Sequence, residues 1–319
     1  MNVLITGASG FVGQHLLRYL RLHFPSATLY APVRKTPGMQ PSSVHWIPFR
    51  EDMQSYFAEY SIEAVIHLLG KAHDTKNTTQ AEEYFKVNDA WTRHLYDLFL
   101  QSNATKFIFL STIKAVGDDK TYVQNAKDVS DPQTPYAKSK KQAEDYIRSC
   151  PLPQGKAYYI LRPTLIYGPG IKGNLATLVK FAKTGIPYPF SSFENKRSYL
   201  SINNLNYLFV TLLKGKYSSF TLNVANRDPI STQEMIELLA NEMGKKPSLI
   251  KIPTSWIQLA AKMGDLFPFF PFNSEKLKKI TSSFVIDPLE MEQTIQLSLP
   301  EQTRTTITGI LKPMDSDSF

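Results

Sequence analysis

Cysteine is nearly missing from this chain. Cys150 is the one thiol among 319 residues, which excludes an internal disulfide and any CxxC-type redox or zinc motif. Histidine is sparse as well: His15, His23, His45, His67, His73 and His94 are scattered without metal-ligand spacing, so no structural metal is expected. Long apolar runs are lacking too. The N-terminal run ends at Thr6-Gly7 with no basic region before it, and reads as neither a signal peptide nor a membrane span. The stretch from Trp256 to Phe272 is apolar, but Lys262, Asp265, Pro268 and Pro271 rule out a clean spanning helix. We expect it to pack within a C-terminal domain, a membrane-surface patch being the rarer alternative. The expected compartment is the cytoplasm, without stable membrane insertion. Repeats and low-complexity blocks are absent.

The charge balance is moderately basic, +8 from 36 lysines and arginines against 28 acids, and the cations are spread along the chain. Small clusters at Lys138 to Lys141 and Lys276 to Lys279 read as solvated helix faces, so no nucleic-acid partner is expected. An anionic small molecule suits this balance at least as well. With 42% apolar residues the chain has ample material for a core, in one large or two unequal domains.

What is present begins at residue 3. Val3 to Ile5 form a short buried strand, Gly7, Gly10 and Gly13 follow at intervals of three, and Phe11, Val12, Leu16, Leu17 and Leu20 recur at helical spacing. This is a strand, a tight turn and a helix start able to hold a pyrophosphate: glycine permits the turn and the close approach, and the helix N-terminus offers unpaired N–H groups. Further strand-like runs lie at Thr28 to Val33, Val44 to Ile47, Ala64 to Leu69, Phe107 to Leu110 and Tyr158 to Leu161. Helical patterns at Phe11 to Phe24, Gln80 to Gln101 and Tyr136 to Ser149 alternate with them. Such alternation predicts an α/β chain of the Rossmann type, a doubly wound parallel sheet, over residues 1–168, with a return segment near 203–230. Residues 169–319 are expected to form mainly a smaller α/β substrate-binding domain. Ligands of such sheets bind beyond the carboxyl ends of the strands, which selects Gly7 to Gly13, Arg34-Lys35, Leu69 to Asp74 and Ser111 to Gly117.

Tyr136 and Lys140 stand four apart behind Thr134, a helix cap, and Pro135, suited to a first helical position, so they share one helix face. A free phenol titrates near 10, and a neighbouring ammonium favours its ionised form. Thr112, just after the Phe107 to Leu110 strand, places a hydroxyl on the same rim as the glycine loop, able to hold a carbonyl or alcohol oxygen for proton transfer.

Together with Val65-Ile66-His67-Leu68, Asn88, Leu161-Arg162-Pro163, Tyr167-Gly168-Pro169-Gly170 and Arg197-Ser198-Tyr199-Leu200, these motifs make residues 1 to about 205 resemble the extended short-chain dehydrogenase/reductase family of nucleotide-sugar epimerases, dehydratases and ketoreductases. The resemblance implies a nicotinamide cofactor, NADP(H) or NAD(H), held by Gly7, Ser9, Gly10, Phe11, Val12, Gly13, Arg34, Lys35, Leu68, Leu69, Gly70, Lys140 and Pro163. It implies Tyr136 as acid/base, Lys140 as its tuning cation and ribose ligand, and Thr112 as the group that places the reacting oxygen. Asn174 and Arg197 are the implied substrate-binding residues, with Lys71, His73 and Lys114 as further substrate-binding candidates that read equally as simple loop cations, and a homodimer through the helices at Gln80 to Gln101 and Tyr136 to Ser149 is the implied assembly.

Departures from the family pattern narrow the reaction. The Asp-Glu pair that dehydratases carry after the Ser/Thr is Ile113-Lys114 here, which removes the elimination acid and base. Arg34-Lys35 replace the acid that binds the adenosine ribose in NAD-preferring members, and two cations favour a 2′-phosphate. The motifs look most like the bacterial branch that includes UDP-4-keto-6-deoxyhexosamine reductases. The expected function is reduction of a 4-keto group on a UDP-linked hexose in polysaccharide synthesis. UDP-hexose 4-epimerisation with retained NAD is the near alternative. A reductase of apolar ketones and a silent dinucleotide sensor are more distant ones.

Overall fold

The computed structural model describes residues 1–35, 44–50, 52–72, 80–117, 122–123, 126, 130–171, 173–267 and 272–313. Its strands are β1 (Asn2–Thr6), β2 (Thr28–Val33), β3 (Val44–Pro48), β4 (Ala64–His67), β5 (Lys106–Leu110), β6 (Tyr122–Val123), β7 (Ala157–Pro163), β8 (Leu165–Tyr167), β9 (Tyr199–Ser201), β10 (Phe220–Val224) and β11 (Val285–Ile286). The helices are α1 (Phe11–His23), α2 (Gln54–Glu59), α3 (Ala81–Phe85), α4 (Trp91–Gln101), α5 (Pro135–Ser149), α6 (Asn174–Thr184), α7 (Ile202–Lys214), α8 (Thr232–Glu242), α9 (Thr254–Leu266), α10 (Ser274–Thr281), α11 (Leu289–Ile295) and α12 (Thr303–Thr306).

Seven strands form one parallel sheet in the order β3-β2-β1-β4-β5-β7-β10, a Rossmann-type doubly wound arrangement. The strands read as unbroken apolar runs because both faces are covered. Val3, Ile5, Ile66, Ile108, Tyr159 and Leu161 face α1 and α7, meeting Leu16, Leu20, Leu208 and Leu212. Leu4, Val65, Phe107, Phe109 and Ile160 face the other way, onto Leu95, Tyr96 and Phe99 of α4 and Ala143 and Ile147 of α5. Strand order reverses between β1 and β4, where Thr6 stands level with His67, so the loops after these two strands leave the sheet side by side.

The return segment is larger than the sequence suggests. After β10, Met291 and Ile295 of α11 and Leu299 also pack into the α1–α7 core. A second core joins Tyr167, Leu175, Val179, Tyr199, Ile230, Met235, Leu239, Ile307 and Ile310 from α6, α8 and the neighbouring segments.

Three readings need correction. The segment from Gln80 to Gln101 is not one uniform helix: a π-helical turn, Lys86–Ala90, separates α3 from α4. Of the lysines at 138–141, read as solvated, Lys140 is 3% exposed. The apolar stretch after Trp256 packs on one side only, through Ile257 and Ala261, while Trp256, Leu259, Met263 and Leu266 stay exposed.

Candidate active site

At the strand-order reversal the backbone forms a cradle that only glycine fits. Gly7 has φ +74°, and a β-carbon there would lie 2.7 Å from the Leu69 amide nitrogen and 2.8 Å from the Leu68 carbonyl carbon. A β-carbon on Gly13 would come within 2.5 Å of the Ala8 backbone, so α1 sits directly on the turn. The Gly10 amide donates to the Gly7 carbonyl at 3.0 Å, and Gly10 then caps α1. The Phe11, Val12 and Gly13 amides are thereby left for an anion at the helix start. These residues fit a dinucleotide pyrophosphate. Ser9 is exposed beside them, and its carbonyl accepts from Gln14 Nε2 at 3.0 Å. Arg34 and Lys35 are exposed at the end of β2, with the Arg34 guanidinium 5.5 Å from the centre of the Phe49 ring. Leu68 and Leu69 are half-buried, and Pro163 closes β7 beside Val224.

Helix α5 begins as its sequence dictates: the Thr134 hydroxyl accepts from the Ala137 amide at 3.2 Å and Pro135 takes the first position. The helix carries Tyr136 to Thr112, which ends the β5 segment. Burial raises the pKa of the half-buried Tyr136 phenol, the hydrogen bond with Thr112 pulls it back, and the Tyr84 phenol adds to the rise. The Tyr136 phenol is therefore protonated at neutral pH. One turn on, Lys140 is enclosed. Its ammonium donates to the Leu110 carbonyl at 3.0 Å and lies 4.5 Å from the centre of the Phe109 ring. Burial draws its pKa down to about 7 against the pull of the Glu144 carboxylate. A β-carbon on Gly70 would come within 3.1 Å of Lys140 Nζ, so the glycine lets the post-β4 loop close over the lysine.

Several supporting side chains received no role from the sequence. Glu144, one further turn along α5, is fully buried and takes a two-point ion pair from Arg162 of β7 as well as the Ser111 hydroxyl. The Arg162 Nη1 group donates to the Ala126 carbonyl at 2.8 Å. The spacing Tyr136, Lys140, Glu144 put a carboxylate on the same helix face as the other two, a legible signal; its arginine partner was not.

Beneath the cradle, His67 Nδ1 lies 2.6 Å from the Thr6 hydroxyl and Nε2 lies 2.9 Å from the Thr92 hydroxyl. Thr92 donates to the Asn88 carbonyl at 2.7 Å, so Nε2 carries the imidazole proton and Nδ1 accepts from Thr6. Burial, reinforced by Lys140, lowers the His67 pKa to about 3, so the ring is neutral. The π turn aims the Asn88 side chain inward. Its Oδ1 accepts from the Lys71 amide at 2.8 Å, and its Nδ2 donates to the Lys71 carbonyl at 3.1 Å and to Ser139 Oγ at 3.0 Å. Ser139 in turn donates to the Tyr136 carbonyl at 2.9 Å. The post-β4 loop is thus tied to the first turn of α5.

The remaining sequence candidates are less gathered. The Lys71 ammonium pairs with Glu83 at 2.6 Å. Lys114 is exposed on the 3-10 turn Ile113–Ala115. Arg197 donates from Nε to the Ser282 carbonyl at 3.0 Å and from Nη2 to Ser282 Oγ at 2.9 Å; burial draws its pKa down, and the Tyr199 and Tyr188 phenols push it back. Asn174 opens α6, its side chain outside the described residues, and His73 lies outside them altogether. Among the described residues no helix is long and apolar enough to cross a membrane.

Known proteins resemble this chain over most of its length. A UDP-glucose 4-epimerase of Vibrio cholerae is 30% identical over 310 residues, covering 94% of this chain and 91% of the relative. A GDP-6-deoxy-D-mannose reductase of Pseudomonas aeruginosa is 25% identical over 252 residues, 75% of this chain and 79% of that protein. The solved UDP-N-acetylglucosamine 4-epimerase of Bacillus cereus superposes with a TM-score of 0.74 at 20% identity, covering 97% of this chain and 98% of that one. The profile of the NAD dependent epimerase/dehydratase family matches residues 3–225. The chain therefore belongs to the NAD dependent epimerase/dehydratase family, as a Rossmann-type enzyme that works with a nicotinamide dinucleotide.

Proposed function

We propose that the enzyme carries out oxidoreduction at C4 of a UDP-linked hexose, in the direction of 4-keto reduction. The observation that carries this reading is a Tyr136 phenol kept protonated by burial beside the Thr112 hydroxyl, with the enclosed Lys140 one turn along the same helix. When bound, the nicotinamide supplies or accepts the hydride. The chain handles the oxygen. Thr112 and Tyr136 both donate to the C4 carbonyl oxygen, and as negative charge gathers there Tyr136 gives up its proton. Lys140 stabilises the resulting phenolate and, through its donor to spare, holds a ribose hydroxyl. Ile113 and Lys114 occupy the places where an eliminating enzyme needs an acid and a base, which speaks against dehydration.

Gly7, Ser9, Gly10, Phe11, Val12 and Gly13, with Leu68 to Gly70 and Pro163, are the residues we assign to the dinucleotide. Arg34, exposed and braced by Phe49, and Lys35 would take a 2′-phosphate, which supports NADP(H). We assign the sugar nucleotide to the lobe within residues 169–319, with Arg197 reaching its diphosphate and Lys71, His73, Lys114 and Asn174 at the sugar. A homodimer through α4 and α5 completes the proposal. The second reading, 4-epimerisation with retained NAD, is favoured by the Vibrio cholerae relative.

Denaturing the purified protein and weighing any released dinucleotide separates the two. Little retained cofactor, tighter binding of NADPH than NADH, and NADPH oxidation by a UDP-4-keto-6-deoxyhexosamine support reduction. Stoichiometric NAD and interconversion of UDP-glucose with UDP-galactose would replace it by epimerisation.

A further inference from the structure

Helices α9 and α10 form a hairpin with its own small core of Ile257, Ala261 and Leu277. At about 100° per residue, the inner arc of α9 holds Ile257, Ala261 and Gly264, all buried. Trp256, Leu259, Met263, Leu266 and the following Phe267 fall on an adjoining arc and are 73%, 62%, 53%, 76% and 46% exposed. Five of the ten exposed large hydrophobic side chains among the described residues thus lie on this one stripe, while the other five are scattered along the chain. A soluble domain rarely leaves so contiguous an apolar face bare.

The hairpin that carries it is basic. Lys262 flanks the stripe on α9, Lys251 stands just before the helix, and Lys276 and Lys278 are exposed on α10. Among the described residues of the hairpin the acids are two: Asp265, on the side of α9 away from the stripe, accepts from the Ser274 amide at 3.0 Å, and Glu275 lies on α10.

We propose that this face docks the enzyme reversibly on an anionic phospholipid bilayer. Trp, Phe, Leu and Met on one arc of a basic hairpin is the composition of a helix that lies in the headgroup region. A bilayer supplies both an apolar boundary and a negative surface. A second copy of this chain supplies only the first, because pairing through the stripe would set two basic hairpins against each other. The proposal does not depend on which sugar reaction the enzyme performs. A short one-sided stripe without a lipid anchor gives weak, salt-sensitive binding rather than insertion.

The test is sedimentation of the full-length protein with phosphatidylglycerol–phosphatidylcholine vesicles and with pure phosphatidylcholine vesicles, at low and high salt. The expected result is binding to the anionic vesicles, at least about tenfold weaker binding to the neutral ones, and release by salt. Leu259→Asp/Leu266→Asp should lower binding at least about tenfold while turnover of a soluble sugar nucleotide stays unchanged. Lys276→Glu/Lys278→Glu should remove the preference for anionic lipid with the stripe intact. Failure to bind phosphatidylglycerol vesicles, or equal binding by both variants, overturns the proposal. So does self-association of the wild type that the Leu259→Asp/Leu266→Asp change dissolves, since the face would then belong to a second copy.

Discussion

Replacing His67 by a residue that cannot titrate should flatten part of the acid limb of the stability profile. In the folded chain the ring is enclosed, donates to Thr92, accepts from Thr6, and has its pKa lowered from 6.5 to about 3. Between those two values the unfolded chain holds a proton that the folded chain refuses. Stability contributed by this group therefore rises with pH across that window and is lost on acidification, by at most about 1.4 kcal/mol per pH unit. Integrated from pH ~7.5 to ~5, the loss is about 2 kcal/mol, a sizeable share of a typical total of about 5–15. His67→Gln keeps an amide donor for Thr92 and carries no ionisable proton. Urea unfolding of both proteins at the two pH values isolates the imidazole from every carboxylate they share. The variant should be less stable than wild type at the higher pH, and the gap should close by about 2 kcal/mol at the lower one. Parallel losses in the two proteins would refute the buried, neutral assignment.

Tyr136→Phe should lower turnover at least about a hundredfold with dinucleotide affinity near normal, read from steady-state kinetics and titration of the cofactor. Gly7→Ala forces a β-carbon against the Leu69 backbone at φ +74°, so it should cost about 1–3 kcal/mol of stability and abolish the thermal shift produced by NAD(P)H. Glu144→Gln leaves the Arg162 charge buried without its counterion and should cost about 3–5 kcal/mol in urea unfolding. The double change with Arg162→Met should recover part of that loss.

The main sheet was legible because its strands are apolar on both faces and therefore stand out as runs, while the glycines at 7, 10 and 13 and the Thr134-Pro135 cap mark their turns directly. What escaped depends on contacts between distant segments. Glu144 meets an arginine 18 residues away on another element, and Arg197 turns to Ser282, 85 residues on. Neither pairing has a local signature. The burial of Lys140 is likewise a property of the loop that Gly70 lets close over it. The stretch after Trp256 packs as expected through one arc and not the other, a division that sequence does not show because apolar residues on both arcs of α9 look alike until packing reveals which arc has a neighbour.

The π turn at Lys86–Ala90 works as a change of phase within one rod. Each residue advances an α-helix by about 100°, so the wide turn sets the phase at which Leu95, Tyr96 and Phe99 face the sheet relative to Tyr84 and to the inward-pointing Asn88. The helix thus serves two clients whose angular demands are incompatible with a uniform screw. Between Tyr84 and Thr92 length itself becomes the constrained quantity: substitutions there can be absorbed singly, but adding or removing one residue turns one client away from its partner.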